Sequence, residues 1–186
     1  MPKTIYLTRA DDARIAPYVS IRERDLTGHE DGRFIVEGKV TLDILLTRSR
    51  FAVESLFICE TRVKPLEAIL AKVPAHVPVF VARQQVMDEI AGFPIHRGVL
   101  ACAVKGPEPK LDDVLSALPP RATVLVLNGI SNHDNVGAAF RNAAAFGVDA
   151  VLLDAGSCDP LYRKSIRVSA GAALWMPFVR VAVSRT

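Results

Sequence analysis

An α/β fold in two pieces follows from three features of the chain. Short apolar runs alternate with segments of helical period along most of its length. A Pro- and Gly-rich stretch, "KGPEPKLDDVLSALPPRA", interrupts that alternation near the middle. After the interruption come three apolar runs separated by helix-length segments, the pattern of a parallel sheet with helical crossovers. The division is residues 1–105, a linker at 106–121, and 122–186.

Composition permits a folded core. Half of the 186 residues are hydrophobic, 50% by count. Formal net charge is +3, from 23 basic and 20 acidic residues, which admits a nucleic-acid partner without requiring one. The distribution is more pointed: from Arg163 onward there are five basic residues and no acidic one. Cys59, Cys102 and Cys158 are scattered and odd in number, so they read as buried free thiols rather than a disulfide framework or a metal knuckle. No N-terminal secretory signal and no membrane-length apolar segment is found, and no metal cluster is read, which predicts a cytoplasmic protein with no membrane or metal partner.

The first unit is justified element by element. Residues 1–52 begin irregularly. "RFIVEG" reads as a strand or extended lead-in, and "KVTLDILLTRS" as a helix with Val40, Ile44 and Leu45 on its inner face. "SLFICE" is a short strand, and Pro65 opens the helix "PLEAILAKV". "HVPVFV" is a strand in which Pro78 demands an edge position or a late start. "RQQVMDEIAG" is a helix with Val86, Met87 and Ile90 inward and Gly92 as its stop. "GVLACAV", nearly all apolar, is expected in the sheet interior. Together these predict a small three-layer α/β/α unit.

The second unit opens with the strand "TVLVL" at 123–127, followed by a helix from Asn135 to Phe146 that Gly147 closes. "DAVLLD" is the next strand. Asp159 and Pro160 form an N-cap and first turn for a short helix, and "FVRVAV" is the last strand. A three-stranded parallel sheet is thin cover for two faces.

The chemistry concentrates in "LNGISNHDNVG", which joins a strand end to a helix start. In open α/β sheets sites gather outside the carboxyl ends of strands. The helix start offers unpaired N–H groups. Asn135 is a candidate N-cap, in competition with Ser131, Asn132 and Asp134. Gly137 and Arg141, four apart, share one helical face. Glycine leaves room beside the helix for the arginine, while Val136, Phe140 and Ala143 face the sheet. The layout suits a phosphate or ribose held by asparagine amides, backbone N–H groups and Arg141. The bland alternative is a capped helix with a solvated arginine. Neither a P-loop nor a dinucleotide fingerprint is present.

The spacing NxxNxGxxxRNAxxFG, carried by Asn132, Asn135, Gly137, Arg141, Asn142, Ala143, Phe146 and Gly147, resembles the first signature of the SpoU/TrmH-type RNA 2'-O-methyltransferases. These are members of the SPOUT trefoil-knot superfamily. "SCDPLYRKSIRVSAGA" at 157–172 is similar to the second signature. "GRFIVEG" at 32–38 resembles the L30e-like RNA-binding domain that often precedes the catalytic one.

The resemblance implies methyl transfer from S-adenosyl-L-methionine to a ribose 2'-hydroxyl of rRNA or tRNA, by a homodimer when complete. Arg141 is implied as the catalytic residue at the target phosphate, with Asn135 shaping the loop. A guanidinium stays protonated, so Arg141 is expected to clamp phosphate rather than accept the proton. Asn132, Arg163, Lys164 and Arg167 are implied as RNA contacts, Tyr162 as a stacking or packing ring, and Ser169, Ala170 and Gly171 as a close-approach segment. His133 reads as non-catalytic, and Asp134 and Asp159 as caps.

In the first unit Arg22, Arg24, Arg33 and Lys39 are candidate RNA contacts, with His96 and Arg97 a second pair. No aromatic ladder is seen, so shape and backbone contacts are expected. The family's third signature is a glycine/glutamate loop, a proline-hydrophobic turn and an "SLNV"-like helix. It carries much of the cofactor pocket and completes the knot, and it is not found before Thr186. The expectation is therefore a truncated SPOUT domain with an incomplete knot, no assignable cofactor residues and uncertain activity as an isolated chain. A non-catalytic RNA-binding module and a truncated remnant are the alternatives.

Overall fold

A computed structural model describes residues 2–21 and 32–181. The chain divides into two compact units, Met1–Gly106 and Pro107–Thr186.

Unit 1 holds five strands. These are β1 (Thr4–Leu7), β2 (Arg33–Glu37), β3 (Ala52–Cys59), β4 (Val79–Ala82) and β5 (Val99–Val104), in the spatial order β1-β4-β3-β5-β2. The β1–β4 and β3–β4 pairs are parallel, while β3–β5 and β2–β5 are antiparallel. Helix α1 (Lys39–Thr47) follows β2 directly. Two single turns, α2 (Glu60–Val63) and α3 (Glu67–Leu70), follow β3, and α4 (Gln84–Ala91) follows β4.

Several local expectations hold. β5 lies inside the sheet. Gly92 ends α4 in the left-handed conformation at φ 80°, with Met87 and Ile90 buried. Pro78 precedes β4, which is an interior strand; the late start is the solution adopted. The Pro78 carbonyl still works, accepting the Leu56 N–H at 3.0 Å.

Others are corrected. Val40 is 64% exposed, and α1 buries Thr41, Leu42 and Leu45 instead. Leu45 is buried as expected, but Thr41 and Leu42 share its face in place of Val40. Pro65 sits in a 3-10 turn, Lys64–Leu66, that splits the anticipated helix. β1 has no counterpart in the sequence reading. Only Leu7 of its four residues is buried, so an apolar pattern was hardly there to read.

One buried network ties the N-terminal segment to the sheet. The register of β3 against β5 shifts between Val53 and Ser55. Tyr18, fully buried, sets its hydroxyl 2.9 Å from Ser55 Oγ and accepts the Cys102 N–H at 3.1 Å. A β-bulge leaves ladder groups in need of partners, and here a phenol supplies one. Burial pushes the Tyr18 hydroxyl well above its usual range, so it stays a neutral donor and acceptor.

Unit 2 has a three-stranded parallel sheet, β6 (Val124–Leu127), β7 (Ala150–Asp154) and β8 (Phe178–Val181), in sequential order. Helix α5 (Leu111–Ser116) packs Val114 against Ala150 and Val179 on one face. Helix α6 (His133–Ala145) buries Val136, Phe140 and Ala143, with the Phe140 ring edge-on to Phe178 at 5.6 Å. Helix α7 (Arg163–Val168) begins at Arg163, not at Pro160. Asp159 instead closes a turn, accepting the Leu161 N–H on its side chain at 2.8 Å and the Tyr162 N–H on its carbonyl at 3.1 Å. Cys59 and Cys102 are buried, and Cys158 is half-buried.

Replacing Tyr18 by Phe removes one hydroxyl from a site it shares with Ser55 and Cys102. Urea denaturation is expected to show a loss of about 1–3 kcal/mol, the magnitude for orphaning buried polar groups. A shift well below that range would mean that water replaces the phenol.

Candidate active site

Helix α6 starts where the sequence concentrates its polar residues, and Asn132 is the residue that caps it. Its Oδ1 accepts the N–H groups of Asp134 at 2.7 Å and Asn135 at 3.3 Å. Asn135 is therefore the third residue of the helix, exposed, rather than its cap. Asn135 and Arg141 are six positions apart, about 9 Å along the axis at 1.5 Å per residue. Asn142, seven on from Asn135, lies on the same stripe as Asn135, and both are exposed.

The room beside Gly137 is already filled. A Cβ there would stand 2.7 Å from the Ser165 carbonyl oxygen and 2.8 Å from Val168 Cβ. Glycine is thus what lets α7 lie directly on α6. Arg141 does not enter that space. It passes to the end of α7, where Nη1 donates to the Val168 carbonyl over a long 3.4 Å. The guanidinium is otherwise exposed.

Three further contacts join the starts of α6 and α7. The His133 and Tyr162 rings stack with centroids 3.9 Å apart at 32°. Lys164 Nζ lies 2.7 Å from Asp134 Oδ2. The buried Ser165 hydroxyl donates to the His133 carbonyl at 3.1 Å. Asn132, Asn135, Tyr162 and Lys164 are thereby gathered at one end of the helix pair, and Arg141 stands at the other with Val168. Arg163 and Arg167, both half-buried, have interactions of their own.

The loops beyond β6 and β7 are tied together by residues that sequence reasoning did not single out. Asp154 accepts the Ser157 hydroxyl at 2.6 Å and the Gly129 N–H at 3.0 Å. Ser157 Oγ accepts the Ile130 N–H at 3.0 Å. From β8, Arg180 Nη1 donates to the carbonyls of Asp154 at 3.1 Å and Ser157 at 3.0 Å. The Ser157 hydroxyl, then the Gly129 amide, holds the Asp154 carboxyl below the usual carboxylate range. These bonds tie the loops after β6 and β7 to β8. The only sequence signal for the cluster was that Ser157 opens the second signature.

Arg33 and Lys39 belong to unit 1. Arg33 pairs with Glu54, Nη2 to Oε1 at 2.8 Å, whereas Lys39 is exposed at the first turn of α1. Arg22 and Arg24 lie outside the described residues. Among the described residues no three metal-ligating side chains converge, and no helix is long and apolar enough to cross a membrane.

Comparison with known proteins places this geometry. Residues 122–185 match the SpoU rRNA Methylase family. The chain is 43% identical over 148 residues to an uncharacterised tRNA/rRNA methyltransferase of Mycobacterium bovis, covering 80% of this chain and 49% of the relative. Residues 122–185 belong to the SpoU family. The SpoU chain is also 30% identical over 151 residues to the 23S rRNA (guanosine-2'-O-)-methyltransferase RlmB of Salmonella typhimurium, across 79% of this chain and 62% of that protein. It therefore spans about half to three fifths of the length of these relatives. An rRNA methyltransferase from Sinorhizobium meliloti shares the fold with TM-score 0.73 at 19% identity, over 97% of this chain and 66% of the other. The SpoU methyltransferase AviRb from Streptomyces viridochromogenes, solved with AdoMet, shares it with TM-score 0.73 at 20% identity, over 93% and 63%. These two likenesses establish the SPOUT-type fold of the SpoU chain.

Two outcomes follow for the helix pair and the loop cluster. Gly137→Ala is expected to destabilise unit 2 by about 1–3 kcal/mol through overpacking, read from thermal unfolding. Unchanged stability would show that α7 can move away freely. Because the Asp154 carboxyl is depressed, its contribution is present above the unfolded value of about 4 and lost as pH falls through the folded one. Asp154→Asn should flatten the acid limb of a stability–pH curve, and an unaltered limb would contradict the linkage.

Proposed function

We propose that this chain acts in methyl transfer from S-adenosyl-L-methionine to a ribose 2'-hydroxyl of rRNA or tRNA. The observation that carries the reading is the position of Arg141. It is the exposed cation at the far end of a helix pair whose near end presents Asn132, Asn135 and Lys164. When bound, the cofactor supplies an electrophilic methyl on a sulfonium. The chain's own residues act on the RNA.

Arg141 clamps the phosphate beside the reacting ribose. A guanidinium offers five N–H donors in a planar fork, and the Val168 carbonyl engages one nitrogen only, at a long distance. It remains protonated and does not take the hydroxyl proton. Its value is electrostatic: it fixes the phosphate and hence the attached ribose. Asn135 presents an amide to the loop region with its backbone N–H already held by Asn132. Asn132 keeps its own amide nitrogen for RNA, because capping uses only Oδ1. Lys164, half-exposed beside Asp134, Arg163 and Arg167 line the neighbouring backbone path.

Unit 1 is read as the L30e-like RNA-binding domain, with Lys39 and Arg33 as candidate contacts. Assembly as a homodimer and a cytoplasmic location complete the proposal. The second reading is an RNA-binding module without transfer, for which the exposed Arg141 and Lys164 of the helix pair would serve equally.

Transfer of a labelled methyl group from S-adenosyl-L-methionine to total rRNA and tRNA, followed by nucleoside mass spectrometry, tests the proposal. A 2'-O-methylated nucleoside is expected, and Arg141→Ala should lower kcat/KM by roughly 100- to 1000-fold, the scale for losing one electrostatic contact in a transition state. RNA binding without transfer would replace the proposal with the second reading.

A further inference from the structure

The strongest unassigned feature of unit 1 is a group of cations at the end of its sheet where β2, β3 and β4 finish. Arg97, Lys39 and Arg62 meet there through two glycines. Gly38, at φ 104°, ends β2, and a Cβ on it would come within 2.9 Å of Arg97 Nη1. Gly98, at φ 61°, precedes β5, and a Cβ on it would come within 3.1 Å of Arg62 Cγ. The two glycines sit on neighbouring ladders: Gly38 N–H donates to Val99 at 3.0 Å, and Cys59 N–H donates to Gly98 at 2.9 Å. Lys39 is the next residue after Gly38. The arginine stems thus cross bare backbone, and three cations share one small surface.

All three are exposed. None makes an ion pair or side-chain hydrogen bond with another described residue. His96, adjacent, is exposed too. The carboxylates nearby do not neutralise the group: Glu60 faces Arg83 at 3.9 Å, and Glu37 is buried with an interaction of its own. Four other cations of unit 1 are paired, Arg9 with Asp11, Arg14 with Asp12, Arg33 with Glu54 and Lys72 with Asp43. Gathering unpaired like charges is unfavourable in the free protein and becomes favourable against a polyanion.

We propose that this end of unit 1, carried by Lys39, Arg62 and Arg97, docks the phosphate backbone of the RNA substrate. The proposal rests on the reading of the chain as acting on RNA and says where unit 1 holds it. It also separates Lys39 from Arg33. They lie at opposite ends of β2, whose length is about 13 Å at strand rise, and Arg33 is occupied by Glu54. The contact is made to backbone charge, so it carries register and affinity rather than base sequence.

The test is fluorescence anisotropy of the full chain with a labelled RNA stem-loop across a potassium chloride series. The triple variant Lys39→Gln/Arg62→Gln/Arg97→Gln is compared with a charge-matched triple, Arg9→Gln/Arg14→Gln/Lys72→Gln, which removes paired cations. The first should weaken binding roughly 10- to 100-fold and lower the salt slope by about 2–3; the second should do neither. Equal behaviour of the two triples would overturn the docking site while leaving RNA binding intact. Absence of RNA binding by the unaltered chain would overturn the docking site and the RNA reading together. Displacement of the stem-loop by polyglutamate as readily as by unlabelled RNA would reassign the surface to an acidic protein.

Discussion

The contact between Gly137 and α7 is the constraint on which the arrangement of unit 2 depends. Helices ordinarily keep 8–10 Å between axes because side chains stand between them. Here one position has none, and the Ser165 carbonyl and Val168 side chain occupy what would be its Cβ shell. That proximity lets Ser165 reach the His133 carbonyl and Lys164 reach Asp134. It also brings the Val168 carbonyl within range of Arg141. A single missing methyl group thus sets the spacing of nearly every polar residue in the candidate site.

The strand ends supply the second constraint. Parallel strands deliver their following loops to one edge, and in unit 2 those loops are cross-braced through Asp154, Ser157 and Arg180. The bracing joins all three strands beyond their ladders. A surface built this way is organised before any ligand arrives, which lowers the ordering cost of binding. In unit 1, by contrast, Lys39, Arg62 and Arg97 have no ion-pair partner among the described residues, while Arg9, Arg14 and Lys72 do.

Much of this was legible in the sequence, for identifiable reasons. The three strands of unit 2 are mainly apolar, and the sheet-facing trio Val136, Phe140 and Ala143 follows helical period. The signature pattern singled out Arg141 and Asn135, both of which are exposed on α6. What the sequence concealed was relation across space. Gly137 read as room for Arg141, because nothing local says that residues 28 and 31 positions later fill it. All four polar residues around the helix start, Ser131, Asn132, Asp134 and Asn135, competed for the cap until the backbone and the hydrogen bonds to its side chain chose Asn132. In unit 1 the inner face of α1 was misread because Val40 is apolar while its place on the helix faces water. The Arg97–Gly38–Lys39 group joins residues nearly sixty positions apart, which no periodicity reports.

The Tyr18 hydroxyl has a bearing on how unit 1 assembles. It satisfies the amide of Cys102, 84 residues away in the chain. The same N-terminal segment also supplies β1, which pairs with β4. Solvent exchange at the Cys102 amide would therefore report how firmly that segment is held to the middle of the sheet.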